Sequence, residues 1–306
     1  MRRFDLAVAR FREQAALFAC PVCASSMRVQ DGAAPRLVCM QEHAFDFSRQ
    51  GYVNLLLSHQ KHSQEPGYDI ATLRARNAML KTGFFAPLVA QLAEDLRFIT
   101  DRQPEAALNV LDAGTGEGFV FAQVINELVA ATRRSVGAVG TDISKPAIQL
   151  ACQLDAPVTW CIANLMKQLP FATGAFTVLL NILAPANPEE YQRVLSAGGY
   201  LLKVLPLEQH LGEIRQAIYE RERKESHANT TTFTELSPLF TLLTEHELRY
   251  QRPIGKELTA NLLHMSPLFW KGKKEKIAAT LAEGIPQVTV HLSITLWQKR
   301  DIETVS

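Results

Sequence analysis

Short apolar runs alternate through the middle of the chain with longer segments in which apolar positions recur every three or four residues. That is the pattern of buried parallel strands separated by amphipathic helices. Strands are predicted at 107–112, 136–141, 158–163, 176–182 and 200–205, with helices in the gaps, among them 119–131 and 146–153. Two helical patterns, 70–81 and 84–98, lead into the first of these strands. The last part changes character: 239–251 and 288–298 read as long alternating strands, with helical patterns at 256–264 and 273–282 between them. The whole predicts a doubly wound α/β sheet that ends in an antiparallel pair.

Composition narrows the picture only modestly. The chain has 306 residues, enough to bury a substantial core as one large domain or two unequal ones. Its formal charge is +1, so no global basic field points to nucleic acid, and any RNA contact must come from local patches. No apolar run reaches the roughly 18 to 20 residues of a membrane span, which predicts a soluble protein. Near the start, Arg10, Arg12 and Glu13 interrupt what would be the apolar region of a lipoprotein signal, so the segment reads as a short amphipathic helix.

Five cysteines form an odd set, and three of them, Cys20, Cys23 and Cys39, lie near the start. That argues against a disulfide scaffold and for a reducing cytoplasm. Cys20 and Cys23, then Cys39 and His43, give two short knuckles that can close a tetrahedron around zinc. Between them, 27–38 read as a hairpin with Asp31 and Gly32 at its turn. A segment of about 40 residues has too little core to fold alone, so a metal would stabilise it directly. With four protein ligands no position is left for a reactive water, and the predicted zinc is structural. A redox CxxC and chance clustering are the competing readings. Cys152 and Cys161 fall in later helix and strand patterns and read as buried free thiols.

The stretch that organises the rest is the strand ending in Asp112 and the turn after it, which carries Gly114, Gly116 and Gly118. Residues without a Cβ let the backbone turn sharply and lie against a ligand. A dinucleotide fingerprint would seat a pyrophosphate on the helix amides there. Here Asp112 and Glu117 bring carboxylates instead, which suits a ligand with a sulfonium and an ammonium and no phosphate. The next strand ends in Asp142, where the ribose hydroxyls of a nucleoside need a bidentate acceptor. These residues predict an S-adenosyl-L-methionine (AdoMet) site contacted by Asp112, Gly114, Gly116, Glu117, Asp142 and Ile143. Asn164 and Leu165, at the end of the third strand, are expected at the adenine ring, although Asn164 is also suited to capping the following turn. An ordinary tight turn with an exposed Asp142 is the plainer alternative.

With these residues in view, the chain resembles the zinc-containing bacterial 23S ribosomal RNA (guanine-N1)-methyltransferases. The likeness runs from Cys20 to Arg300. It rests on the zinc-ligand spacing, on the stretch 51–56 directly after it, on Asp69, Ala75 and Arg76, on the glycine turn, and on Asp142 with Ser144. Further along it includes 169–171, Ala184 and Pro185, Gly198 and Gly199, His210 and Leu211, Met265 and Pro267, and the closing Leu296, Trp297 and Gln298. Three departures stand out: Thr115 replaces a common cysteine, Leu183 replaces an aromatic often found before Ala184, and some 19 residues precede the first cysteine.

The resemblance implies a class I AdoMet-dependent methyltransferase, a Rossmann-like seven-stranded sheet with an antiparallel edge strand, plus a small N-terminal zinc-binding domain. Residues 1–60 are then the zinc-binding RNA-recognition module and 61–306 the methyltransferase domain, with 61–105 as a helical lead-in. It implies methyl transfer to N1 of a guanine in a hairpin loop of 23S rRNA, in the cytoplasm, by a homodimer. N1 of neutral guanine carries a proton that must leave, and a positioned base typically contributes about 10²- to 10⁴-fold. His210, which follows the fifth strand and matches a family position, is the candidate for catalysis, and no carboxylate stands out. RNA contact is expected from Arg28, Arg36, Arg49 and Lys61 in the zinc module, and from Lys271, Lys273 and Lys274 beside Phe269 and Trp270, although clustered lysines also suit a solvated helix face. Two other functions fit the same core: methylation of a small molecule or lipid, or an RNA-binding factor without catalysis.

Overall fold

The computed structural model describes residues 2–32, 34–60, 70–103, 107–132, 134–219, 226–265 and 273–301. The chain begins with helix α1 (Arg3–Gln14), followed by a three-stranded antiparallel sheet of β1 (Met27–Gln30), β2 (Arg36–Cys39) and β3 (Ala44–Asp46). The hairpin register places Met27 opposite Cys39 and Gln30 opposite Arg36, with Asp31 and Gly32 beyond the last pair. After β4 (Val53–Asn54) come the helices α2 (Ile70–Lys81) and α3 (Ala86–Arg102).

Strand and helix then alternate as the periodicity requires. β5 (Leu108–Ala113), α4 (Phe119–Ala131), β6 (Val136–Asp142), α5 (Lys145–Ala151) and β7 (Thr159–Ile162) form one wing. β8 (Phe176–Ile182), α6 (Pro188–Val194), β9 (Leu195–Pro206) and α7 (Gly212–Ile218) form the other. The remaining elements are α8 (Ser226–Leu236), β10 (Phe240–Pro253), α9 (Lys256–Met265), α10 (Lys274–Glu283) and β11 (Gln287–Lys299).

The main sheet has the order β10-β11-β9-β8-β5-β6-β7-β4. Strands β7, β6, β5, β8 and β9 are parallel, and β11 runs antiparallel between β9 and β10. This is the class I methyltransferase arrangement that the sequence predicts, with two refinements. The antiparallel strand sits second from the margin, because β10 pairs along its outer side. An eighth strand is also present: β4, from the N-terminal segment, adds parallel to β7 with Val53 opposite Cys161.

Side chains alternate across the sheet, and each face has its own core. One face carries Val110, Ala138, Leu180 and Leu202 against helix residues Leu92, Leu96, Phe121 and Ile125, all nearly inaccessible. The other carries Leu111, Val139, Leu179 and Leu201 together with Phe11, Phe18, Leu37, Phe171 and Tyr191, so the zinc segment packs directly on the methyltransferase sheet. A chain of rings makes the join: Phe11 to Phe18 at 5.3 Å, Phe18 to Phe171 at 5.5 Å and Phe171 to Phe176 at 5.2 Å. Each fully buried ring of this size contributes on the order of 2 to 3 kcal/mol.

The sheet reverses direction between β5 and β8, because β6 and β7 are laid to one side and β9 to the other. Open α/β sheets bind ligands in the crevice at the carboxyl ends of the strands at such a point. There the glycine turn after β5 and the loop after β8 face each other.

Candidate active site and zinc centre

The first constellation is built by two tight knuckles. In one, Ala24 N donates to Cys20 O at 2.8 Å, and in the other Glu42 N donates to Cys39 O at 3.1 Å. Ala24 and Glu42 both take positive φ, 58° and 62°, to complete those turns. The ligand atoms of Cys20, Cys23, Cys39 and His43 consequently lie within 4.8 Å of one another. Cys23 Sγ is 3.7 Å from Cys39 Sγ, and His43 Nδ1 is 3.4 Å from Cys39 Sγ and 3.7 Å from Cys20 Sγ. Zinc–sulfur bonds of about 2.3 Å in a tetrahedron put ligand atoms about 3.7 Å apart, so the four side chains fit zinc. Backbone N–H groups of Val22 and Gln41 donate to Cys20 Sγ and Cys39 Sγ, which suits thiolates holding a cation.

The second constellation surrounds the glycine turn. Gly114 has φ +91°, and a Cβ placed on it would lie 2.6 Å from Ala184 Cβ and 3.0 Å from Leu165 Cδ1. Only glycine lets the turn and the loop after β8 approach so closely. A cavity of about 740 Å³ opens beside this contact, with Gly114, Gly116, Asp142, Ile143, Asn164 and Leu165 in its wall. Asp142 accepts from Gly116 N at 2.9 Å and from Ser144 N at 2.8 Å, which fixes the carboxylate at the end of β6. Asn164 does cap the following turn, accepting from Met166 N at 2.9 Å while it donates to Gln60 O at 3.1 Å, and it also lines the cavity.

Asp112 and Glu117 lie behind the turn, outside the cavity wall. Asp112 is 2% exposed and its Oδ1 has no hydrogen-bond partner. Burial pushes its carboxyl up to about 7, and the negative charge of Asp142 adds to the rise. Burial likewise raises Asp142, against the pull of its two backbone donors. Two carboxylates thus stand at the turn, Asp112 unpartnered at Oδ1 and Asp142 held by two backbone donors, a charge that suits a ligand with a sulfonium and an ammonium. The donor set fits AdoMet, which when bound supplies an electrophilic methyl group. Glu117 is answered within the protein, by Arg76 of α2 at 3.1 Å.

Comparisons with known proteins bear on the zinc segment and on the chain as a whole. Residues 18–64 match the zinc-ribbon family model described as RlmA, N-terminal. A Streptomyces fradiae protein named 23S rRNA (guanine(748)-N(1))-methyltransferase is 32% identical over 280 residues, covering 90% of this chain and 95% of its own. The chain belongs to the 23S rRNA (guanine-N1)-methyltransferase family. A Bacillus subtilis member, YxjB, which carries that designation provisionally, is 31% identical over 92% of this chain and 97% of its own. Among solved structures, the plantazolicin methyltransferase BpumL aligns over 74% of this chain and 89% of its own, with 15% identity and a TM-score of 0.43.

Other residues singled out from the sequence of this family member fall in varied places. His210 lines the cavity, and its Nδ1 accepts from His291 N at 3.4 Å. Burial, with Arg215 and His291 nearby, pulls its pKa down to about 4, so the ring is neutral with its proton on Nε2. Arg28 and Arg36 are paired within their own module, to Glu42 at 4.0 Å and Asp46 at 2.8 Å, while Arg49 is exposed. Lys273 and Lys274 are exposed at the start of α10; Lys61, Lys271, Phe269 and Trp270 lie outside the described residues, as do Asp69 and Pro267. Among the described residues no helix is long and apolar enough to cross a membrane.

Sequence reasoning missed one wall of the cavity. Lys203, in the apolar run of β9, is 2% exposed and lines it. Asn181, which the pattern leaves as a core strand residue, holds the loop after β8: its Nδ2 donates to Ala113 O at 2.7 Å and Pro185 O at 3.1 Å. The only signal was two polar residues inside apolar runs, Asn181 and Lys203, and these face each other across β8 and β9.

Proposed function

We propose that the protein transfers the methyl group of AdoMet to N1 of a guanine in a hairpin loop of 23S ribosomal RNA, in the cytoplasm. The observation that carries this reading is the conjunction in one chain of a four-ligand zinc ribbon, packed on the sheet, with a cavity in which the glycine turn abuts the loop holding Ala184 and Pro185. Family membership over nine-tenths of the chain supports the same substrate.

The residues divide the work. Gly114, Gly116, Asp142, Ile143, Asn164 and Leu165 hold the methyl donor, Asp142 by accepting from ribose hydroxyls, while Asp112 adds negative charge from behind the turn. Ala184 and Pro185 form the floor on which the target base rests, and His210 orients a bound group as a hydrogen-bond donor. The Watson–Crick edge of guanine is hidden in a duplex, so the base enters from a loop or is flipped out. Since Arg28 and Arg36 are already paired to carboxylates, the zinc ribbon recognises the hairpin mainly by shape, with Arg49 as an exposed basic contact. A homodimer is part of this reading.

Primer extension on unmethylated 23S rRNA tests it, because a methyl group on N1 blocks pairing and stops reverse transcriptase. The expected result is a new AdoMet-dependent stop at a loop guanine. AdoMet binding without any stop would reject the N1 assignment.

A further inference from the structure

Lys203 lies in the middle of β9 between Leu202 and Val204, both fully buried. A charged amine is costly in such a place unless it is paired. Among the described residues no carboxylate meets it. Its Nζ donates to Asn181 Oδ1 at 2.5 Å and to the carbonyl of Ala184 at 2.7 Å. Its register neighbours are neutral, Asn181 on β8 and Thr295 on β11. The ionisable side chains of the cavity wall are Arg76, Asp142, His210 and Arg215, and none of them bonds to Nζ.

An ammonium has three N–H positions, and here two are committed to the acceptor loop. Asn181 cannot turn to serve otherwise, because both of its amide hydrogens are already donated, to Ala113 O and Pro185 O. The remaining position on Nζ is an N–H when the amine is charged and a lone pair when it is neutral. Lys203 belongs to the cavity wall, beside the floor formed by Ala184 and Pro185.

We propose that Lys203 is the general base of the reaction, its Nζ accepting the N1 proton of the target guanine while Asn181 and Ala184 hold the amine in place. The inference rests on the guanine-N1 reading above. In the step, the N1–H bond breaks and its proton moves to the Nζ lone pair. The electron pair left on N1 forms the N1–CH₃ bond, and the carbon–sulfur bond breaks with sulfur keeping its pair as a neutral thioether. The ammonium then gives the proton to water as the product leaves. Burial favours this use, since it pulls Lys203 down to about 8 and makes a neutral amine available near neutral pH.

The test combines single-turnover methylation of a 23S hairpin RNA from about pH 6 to about pH 10 with lysine titration by NMR, using ε-¹³C-labelled wild type, K203M and K203R. The wild-type rate is expected to rise with pH and level off near 8, the pKa given for this amine. K203M and K203R should both be at least about 100-fold slower, with AdoMet affinity, measured by calorimetry, within about threefold of wild type. One lysine resonance should titrate near 8 in the wild type and be missing in K203M. A wild-type rate that falls above this pH would overturn the assignment. So would K203R activity within about tenfold of wild type, since arginine keeps the charge but cannot act as a base. If K203M loses AdoMet binding, the wild-type profile and the titration decide alone. An inactive wild type with a normally titrating Lys203 would refute the guanine-N1 reading, and the base role with it.

Discussion

The guanidinium Nε of Arg76, on α2, lies 3.1 Å from the carboxylate of Glu117, which stands between the second and third glycines of the cofactor turn. Arg76 also lines the cavity, and the Glu117 side chain is 3% exposed. The helical lead-in is thereby strapped to the back of the AdoMet loop. Removing one partner of a buried pair leaves the other charge uncompensated, a loss of about 3 kcal/mol or more. R76A is expected to lower the melting temperature and weaken AdoMet binding at least about tenfold, while R76A/E117Q recovers part of the stability. Thermal melts and calorimetry on the three proteins check this; additive losses would show that the two residues do not act together.

Asp112 gives the apo-protein and the complex opposite pH dependences. Its folded pKa is about 7 against 3.8 for an ordinary aspartate, so between these values the native state binds more protons than the unfolded state. Its contribution to stability is therefore greatest at low pH and is lost as pH rises through the folded pKa. D112N should melt at a higher temperature than the wild type at alkaline pH, with the gap closing under acid. A bound cation favours the ionised carboxylate, so AdoMet binding should release protons near neutral pH and tighten as pH rises. Calorimetry in buffers of different ionisation enthalpy reads that release, and D112N should reduce it, leaving the share of Asp142, which burial also raises.

Zinc should stabilise more than the ribbon. Cys20, Cys39, Phe18 and Leu37 share one core with Leu111 and Trp297 of the main sheet, Tyr191 of α6 and Phe171. Stripping the metal, or C39S, is expected to lower a single cooperative transition by several degrees and to remove the bound zinc seen by metal analysis. Two separate transitions, with the later one unchanged, would mean that the ribbon folds on its own account.

Gly114 and Gly32 give a contrast within one residue type. A Cβ at Gly114 meets Ala184 at 2.6 Å and φ is +91°, whereas nothing lies within 4 Å of a Cβ at Gly32. G114A should cost about 1 to 2 kcal/mol from backbone conformation alone and separate the two walls of the cavity. AdoMet affinity should fall at least about tenfold in G114A and stay unchanged in G32A, as followed by calorimetry.

What could be read in the sequence was local. Zinc ligands at short spacings, the glycine turn and the terminal Asp142 carry their chemistry within a few residues, and the fold brings the four metal-ligand atoms within 4.8 Å of one another and sets Gly114, Gly116 and Asp142 in one cavity wall. The long strands β10 and β11 were visible through alternation. β4 was not, because two residues have no period, and its membership of the sheet depends on Val53 meeting Cys161 more than a hundred positions away. Lys203 was hidden for a similar reason. A lysine in an apolar run shows its burial only when β8 and β11 close on both sides. The pairing of Arg28 and Arg36 with Glu42 and Asp46 also depends on the fold of the ribbon, so counting arginines overstated its free positive charge.

Placement of the methyl group on N1 of guanine can be read directly from the product. The most direct measurement is to incubate the protein with unmethylated 23S rRNA and methyl-labelled AdoMet, digest the RNA to nucleosides and identify the labelled product by mass spectrometry. Label is expected in 1-methylguanosine, dependent on intact Asp142 and Lys203. Label in another nucleoside, or in no nucleoside while AdoMet still binds, would contradict the N1 assignment.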